Sequence, residues 1–210
     1  MKKIKMYLLF TGWRYKLGIF LGLPLAALAL GLLWNSRLEW LGYGYMLTAV
    51  LIFFEVIADQ AVFAGIQSQR GYKLDYLKTS PLGHGMLRCG LAGDLVRRFL
   101  TAALCVGICG SRGILKTENS LADAVGILLT IYFTETLTLF VSRYSRSAML
   151  CVWIAYGGMV IGVILYAAIC MIPARGIWLA DVLLALAAAA VSVETVRIAM
   201  KKWRRTFSDM

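Results

Sequence analysis

Stretches of apolar residues long enough to cross a bilayer occupy most of this 210-residue chain, and they limit its fold more than any other feature. A transmembrane helix needs ~20 mostly apolar residues. Hydrophobic residues make up 60% of the chain, charged residues only 16%, and the mean hydropathy is +0.75. The sequence therefore predicts an all-α membrane protein with one transmembrane domain over residues 1–210. Its six predicted spans are 17–34, 43–66, 95–114, 121–141, 147–172 and 177–198.

The third predicted span is the least apolar, because Arg97, Arg98 and Arg112 leave a clean apolar core only over 99–110. Positive charge nevertheless supports it, since cytoplasmic loops collect Lys and Arg. With six spans and both termini in the cytoplasm, 18 of the 22 basic residues lie in inner segments and 4 in outer ones. Without this span, the basic N-terminus or the cluster at 201–205 would lie outside. The chain is predicted to be a multi-pass protein of the cell membrane.

Both ends of the chain are basic. In residues 1–16, Lys and Arg alternate with apolar residues, which predicts a helix lying in the inner membrane interface. A plain cytoplasmic extension of the first span fits equally well. Residues 199–210 are predicted to be a cytoplasmic tail. The net charge of +11 is spread over short segments beside helix ends, which indicates membrane orientation and contact with anionic lipid, not nucleic acid.

Catalytic and metal-binding patterns are missing from the sequence. It has no G-x-x-x-x-G-K-[ST], H-E-x-x-H or G-x-S-x-G motif. The single histidine, His84, has no catalytic partner nearby in sequence. The five cysteines lack the acids or histidines that a metal site needs, so we interpret them as packing residues. The chain is predicted to be no enzyme and to hold no metal or cofactor of its own.

Residues 67–90 form the longest polar gap between spans and are predicted to be cytoplasmic. Leu74 and Leu77 are spaced for one face of a short helix, which the Ser80-Pro81 pair should end. Leucines and a phenylalanine then recur every four residues over 87–99. The pattern predicts a short helix, a Pro/Gly break and an amphipathic segment that leads into the third span.

The runs Gly71-Tyr-Lys-Leu-Asp-Tyr-Leu-Lys-Thr-Ser-Pro81 and Met86-Leu-Arg-Cys-Gly90 resemble the loop after the second helix of type-2 ABC exporter permeases. Those proteins carry a Leu-Lys-(Thr/Ser)-(Thr/Ser)-Pro pattern there. Six spans, inward termini, an amphipathic N-terminal segment and a basic tail extend the resemblance over nearly the whole chain. Two features depart from the family. Gly90 and Asp94 stand where a Lys often begins the third helix, and the hairpin before the last helix is reduced to about 173–176.

The resemblance implies that residues 72–79 are a coupling helix that docks into a separate cytoplasmic ATP-binding subunit. ATP and Mg²⁺ would be bound by that partner, and the cargo would be moved outward. A small peptide, an amphiphilic drug or toxin, or a lipid-linked molecule suits a chain without an external domain. The alternative is an ordinary basic loop at the inner interface. The implied contact residues are Tyr72, Asp75, Tyr76, Leu77 and Lys78.

Carboxylates occur within the predicted spans. Glu55 and Asp59 lie four residues apart on span two, and Glu135 lies in the middle of span four. A charged side chain at the bilayer centre costs ~2.5–3.5 kcal/mol on insertion scales, so these groups should face protein or water. They are candidates for a translocation path that suits a cationic or amphipathic cargo. Alternatively they fasten the bundle, with Glu55 and Glu135 as partners of each other.

Two glycine pairs mark faces on which helices can approach closely, Gly18 with Gly22 and Gly158 with Gly162. In the permeases that the chain resembles, helices one and five commonly meet across a dimer. These glycines are therefore candidates for an interface with a second copy or a related subunit, although packing within one subunit explains them equally well.

Two other classes of function remain open on the sequence alone. One is a non-transporting immunity or signalling subunit that uses the same fold. The other is an ion-coupled carrier, which would need Glu55 or Glu135 to titrate during transport; no internal inverted repeat supports it.

Overall fold

The computed structural model describes residues 12–37, 49–58, 81–110, 120–144, 148–171 and 176–205. These residues are almost entirely helical, and no strand occurs among them. We number the helices in chain order. Helix α1 consists of Trp13–Leu17, a π-helical turn over Gly18–Gly22, and Leu23–Arg37. The others are α2 (Ala49–Ala58), α3 (Pro81–Gly110), α4 (Ser120–Tyr144), α5 (Ala148–Cys170) and α6 (Ile177–Arg205).

Three helices are long and apolar enough to cross a membrane, at Trp13–Leu30, Leu121–Leu139 and Trp178–Lys201. Two shorter apolar stretches are Ala49–Ala58 and Val152–Leu165. The described residues therefore form an all-helical protein with membrane-spanning character. The full set of six spans stays a prediction.

Side-chain contacts define the relative directions of the helices. Tyr15, early in α1, contacts Arg97 of α3, whereas Ala27, further along α1, shares a buried cluster with Val106. Helices α1 and α3 therefore run parallel. Helix α2 runs opposite to α3, because its earlier Leu51 lies in that cluster and its later Glu55 reaches back to Arg97.

The remaining helices extend the same alternation. Phe99 of α3 packs against Tyr132 of α4, while the later Cys105 lies with the earlier Ile127, so α3 and α4 are antiparallel. Helices α4 and α6 are parallel, since Ala122 packs on Leu184 and Tyr132 bonds to Ser192. Of the five helices whose directions these contacts define, α1 and α3 run one way and α2, α4 and α6 run the other way. Helix α4 packs against α3, α5 and α6.

The π-helical turn in α1 lies directly before a proline. Pro24 has no N–H to donate to the carbonyl of Phe20, and in a regular helix its ring would clash with that carbonyl. A wider turn over Gly18–Gly22 relieves this conflict, as single π turns inside α-helices do elsewhere. Residues 13–16 belong to this same helix, so the described part of the predicted interfacial segment continues the first span. Residues 1–11 lie outside the described part.

Helix α3 begins earlier than predicted. Pro81 is its first residue, a position where proline is favoured because no helical N–H bond is lost. Within residues 81–90 the predicted Pro/Gly break does not occur, because this segment is helical and continuous with the third predicted span. The predicted short helix before Pro81 lies outside the described residues. The buried residues Met86, Gly90 and Leu91 show that packing holds this glycine-rich segment in a helix. Helix α6 likewise extends beyond the predicted boundary at 198 to Arg205, into the predicted tail.

Candidate functional site: a buried ion-pair network

Four charged side chains of α2 and α3 meet inside the bundle. Glu55 of α2 accepts two hydrogen bonds from the guanidinium of Arg97, at 2.8 Å to Oε1 and 3.1 Å to Oε2. Asp94, one turn earlier on α3, accepts a third bond from Nε of Arg97 at 3.0 Å. Such two-pronged arginine–carboxylate pairs are among the strong, directional hydrogen bonds of proteins. They join α2 firmly to α3.

Arg98 adds a second cation to the same acids. Its Nη2 lies 3.6 Å from Oε2 of Glu55, and its Nε lies 3.8 Å from Oδ2 of Asp94. The side chain of Arg98 is fully buried, and that of Glu55 is 1% exposed. Two cations and two carboxylates thus form a network with no net formal charge. This balance is what makes its burial tolerable, because an isolated buried charge is strongly disfavoured.

Helix α1 joins the network through Tyr15. The phenol oxygen of Tyr15 lies 3.4 Å from Nη2 of Arg97, and the guanidinium carbon lies 5.8 Å from the centre of the tyrosine ring. A guanidinium at this distance from an aromatic ring gains a favourable cation–π attraction. Three helices therefore converge on Arg97.

The second intramembrane acid predicted from sequence, Glu135, lies in the same buried interior. It is 2% exposed on α4. Cys105 of α3, fully buried, shares a cluster with Ile127 and Ile131 of α4, and Glu135 follows Ile131 by one turn. The charged partners of Glu55 include Arg97 and Arg98 of α3, for which the sequence predicted no partner on α2. The buried interior around Cys105 thus continues from the network towards α4.

The predicted dimer-interface glycines differ from one another in their surroundings. Gly18 and Gly22 are exposed, and a Cβ added at Gly18 would meet nothing within 4 Å. Gly158 is buried against its own chain, where an added Cβ would lie 2.7 Å from Cγ2 of Thr138 and 3.0 Å from Cγ2 of Ile52. Gly162 is also buried. This favours packing within one subunit for Gly158, and leaves Gly18 and Gly22 as outward-facing candidates.

The other predicted site residues lie outside the described part of the chain. They are Asp59 and the proposed coupling contacts Tyr72, Asp75, Tyr76, Leu77 and Lys78. Their roles stay predictions.

One buried acid received no role from the sequence. Asp181 of α6 is 3% exposed, and neither carboxylate oxygen has a hydrogen-bond partner among the residues that the structure describes. Asp123 of α4 acts on it electrostatically, so the early turns of α4 and α6 bring two acids into one neighbourhood. A sequence signal existed, because both acids occupy corresponding early positions of two predicted spans. The sequence did not indicate that one of the two acids would be buried, because no basic partner lies near them along the chain.

The direct contacts of the network have the chemistry of a structural coupling, because two acids on two helices are held by two guanidiniums. Among residues 12–37, 49–58, 81–110, 120–144, 148–171 and 176–205, no group of three His, Cys, Asp or Glu side chains is placed to hold a metal ion. What the arrangement can do is transmit force, since movement of α3 acts on α1 and α2 through charged contacts.

Comparison with known proteins returns no relative. No family model, curated protein or solved structure matches this chain. The resemblance to type-2 ABC exporter permeases therefore stays a prediction from the residues of the chain itself.

Proposed function

We propose that the chain is the membrane-spanning permease subunit of an ATP-driven exporter, which works as a dimer with itself or a related subunit. Separate cytoplasmic ATPase subunits supply the energy. The cargo is a small peptide, an amphiphilic drug or toxin, or a lipid-linked molecule, moved out of the cytoplasm. The chain itself is not an enzyme and carries no cofactor.

The observation that carries this proposal is the continuity of α3. The helix starts at Pro81, the last residue of the Leu-Lys-Thr-Ser-Pro motif, and runs unbroken to Gly110. Arg97 lies 16 residues after Pro81, which corresponds to ~24 Å along a helix that rises 1.5 Å per residue. A rigid rod therefore links the segment that would receive the ATPase's movement to the buried network.

The network explains how such movement would spread. Arg97 holds Glu55 of α2 and touches Tyr15 of α1, so displacement of α3 carries both neighbours with it. Glu135 of α4 faces the same interior beyond Cys105. A shift of the α1–α2–α3 group against α4 would change access along the interior between them. This is the movement that an alternating-access exporter needs.

The helix directions add support. Parallel α1 and α3, with α2 antiparallel to both, are the directions that six spans with both termini inside require. The parallel pair α4 and α6 fits the same arrangement. In this topology the start of α3 lies on the cytoplasmic side, where an ATPase subunit would dock.

An ion-coupled carrier is the weaker alternative. It requires Glu55 or Glu135 to gain and lose a proton or cation. Glu55 is held by two guanidiniums at 2.8–3.6 Å, so this alternative rests on Glu135. The non-transporting alternative makes a different prediction, because an immunity or signalling subunit has no need of an ATPase.

A purification experiment tests the proposal. The tagged protein, extracted gently from native membranes, should bring down a stoichiometric P-loop ATPase. Reversal of two charges in the predicted coupling helix, Asp75→Lys with Lys78→Asp, should abolish that association or uncouple ATP hydrolysis from transport. Reversal of the exposed pair Glu194→Arg with Arg197→Glu is the matched control, and it should leave both intact.

Two results would contradict the proposal. If no ATPase accompanies the folded protein, the exporter assignment fails and the immunity or carrier alternatives take its place. If the coupling-helix reversal leaves coupled activity unchanged, residues 72–79 are not the contact.

A further inference from the structure

A cleft of about 360 Å³ lies between α1 and α3 on the outside of the bundle. Phe20 and Leu100 in its walls are 61% and 60% exposed, so the cleft opens to the surroundings of the protein. Arg97 reaches its inner wall, where the guanidinium is already engaged by Glu55. The described residues that line it are Ile19, Phe20, Pro24, Gly93, Val96, Arg97, Leu100, Thr101 and Leu104.

Irregular backbone and a missing side chain line this cleft. One wall contains residues of the π-helical turn over Gly18–Gly22, and Pro24 two residues after it. On the opposite wall, Gly93 has no side chain, and a Cβ built there would meet nothing within 4 Å. The space is thus present in the fold itself and is not filled by a neighbouring side chain.

The apolar lining points to an apolar occupant. The cleft lies along Trp13–Leu30, one of the stretches that can cross a membrane. An unfilled space would deprive its walls of dispersion contacts on one side. In a bilayer, the molecule available to fill a surface cleft of this kind is the acyl chain of a lipid.

Positive charge marks one end of the cleft. Because α1 and α3 are parallel, their N-terminal ends lie on the same side. Lys16 precedes Phe20 by four residues on α1, and Arg14 is exposed nearby. On α3, the exposed Arg88 precedes Val96 by eight residues, about 12 Å along the helix, and shares its exposed face at i,i+4 spacing through Ala92.

We propose that this cleft binds an anionic phospholipid, with an acyl chain between α1 and α3 and its phosphate group beside Lys16 and Arg88. The apolar cleft matches the acyl chain of such a lipid, and the cations at one end match its phosphate group. Each cation near a negatively charged lipid surface contributes binding on a scale of about fivefold in affinity. The proposal does not depend on the transport function, and requires only that α1 lies in the membrane.

Lipid binding can be measured on the purified full-length protein by native mass spectrometry. The probes are palmitoyl-oleoyl phosphatidylglycerol and, as the neutral counterpart, palmitoyl-oleoyl phosphatidylcholine, supplied at equal concentration in detergent. The wild-type protein should retain the phosphatidylglycerol in clear preference to the phosphatidylcholine. Lys16→Gln and Arg88→Gln should each lower that preference by about fivefold.

A cleft-filling substitution tests the site directly. Gly93→Leu places a side chain in the cleft, whereas Gly107→Leu adds the same side chain to open space elsewhere on α3. Gly93→Leu should lose the retained lipid, and Gly107→Leu should keep it. Circular dichroism and thermal unfolding verify that both variants are folded. If Gly93→Leu does not fold, the two glutamine variants carry the test.

Three outcomes overturn the proposal. One is equal retention of the two lipids by the wild type. Another is unchanged preference after both cations are removed. The third is lipid binding by folded Gly93→Leu that equals that of Gly107→Leu. If Gly93→Leu instead shifts the protein from dimer to monomer without changing lipid binding, a second copy occupies the cleft and the lipid assignment is wrong.

Discussion

The two halves of the bundle stabilise their buried polar groups in different ways. In the half formed by α1, α2 and α3, Arg97 makes hydrogen bonds to Glu55 on a different helix, and Tyr15 joins from a third. The polar groups there depend on neighbouring helices. Loss of a charged partner leaves the network with an unbalanced charge in the interior.

In the half formed by α4, α5 and α6, hydroxyl groups are satisfied mostly within their own helix. Thr130, Thr134 and Thr136 of α4 each donate to the carbonyl four residues earlier, at 2.7–2.8 Å. Ser192 of α6 does the same to Ala188 at 2.7 Å. Close packing at Gly158 then brings α5 against its neighbours.

The difference shows what each half is suited for. A helix whose polar groups are satisfied internally can shift against its neighbours without breaking a strong bond. Helices joined by ion pairs move together, because separating them exposes unpaired charge to a low-dielectric interior. The α1–α2–α3 group is therefore expected to behave as one unit.

The largest effect should come from removing the shared acid of the network. Glu55→Gln leaves Arg97 and Arg98 with only Asp94 as a charged partner among the contacts described above. Breaking a buried pair from one side costs ~3–5 kcal/mol of stability. We expect a large fall in the unfolding temperature in detergent. Light scattering or intrinsic fluorescence measures this temperature.

The same substitution at an exposed pair is the control. Nη1 of Arg197 lies 3.1 Å from Oε1 of Glu194 on α6. The side chain of Glu194 is 54% exposed and that of Arg197 is 76% exposed. Glu194→Gln should change stability by no more than ~1 kcal/mol, since exposed pairs contribute little. Equal losses in the two variants would mean that the network has no special role in stability.

A smaller effect is expected where α5 meets its neighbours. In Gly158→Ala, the added methyl group would lie 2.7 Å from Cγ2 of Thr138, so side chains must shift. Overpacking of this kind costs ~1–3 kcal/mol. Gly157→Ala, whose Cβ meets nothing within 4 Å, should be close to neutral in the same thermal unfolding assay.

A second substitution separates packing within the chain from packing between subunits. Thr138→Ser removes the Cγ2 methyl group and keeps the hydroxyl that donates to the carbonyl of Glu135. It should restore part of the stability lost in Gly158→Ala. If it restores none, while the alanine variant changes the oligomeric mass, Gly158 lies at a subunit interface instead.

The smallest effect should come from the hydroxyl contact between Tyr132 of α4 and Ser192 of α6. Tyr132→Phe removes the bond to Ser192, which is 3.0 Å long in the intact protein. Ser192 keeps its bond to Ala188, so no hydroxyl is stranded, and hydrogen bonds between membrane helices average only ~0.6 kcal/mol. A loss as large as that of Glu55→Gln would show that the two halves are not stabilised differently.

The length of the apolar runs was enough to predict an all-helical membrane protein, because a chain segment that crosses a bilayer must satisfy its backbone polar groups internally and an α-helix does so. Charge distribution suggested the alternating directions. Helix boundaries were less predictable. Pro81 and the following glycines suggested a break, yet proline suits the first turn of a helix, and burial of Met86 and Leu91 holds the rest.

The site was predictable only in part. Glu55 and Glu135 were predicted to face protein or water because they lie deep in apolar runs, and both are buried in protein. The arginines were harder, since a basic residue near a span boundary is normally a topology signal. Pairing Arg97 with Glu55 required knowing that α2 and α3 pack side by side with opposite directions. That information lies in tertiary packing, because Glu55 and Arg97 are 42 residues apart in sequence.

The neutral network has a consequence for membrane insertion if α3 is a span, as the sequence predicts. Asp94, Arg97 and Arg98 would then enter the bilayer, where a charge near the centre costs ~2.5–3.5 kcal/mol. Glu55 precedes α3 in the chain, so it is synthesised before the two arginines. The acid on α2 would then already be present as their counterion, and the order of the helices along the chain would help the charged third helix to insert.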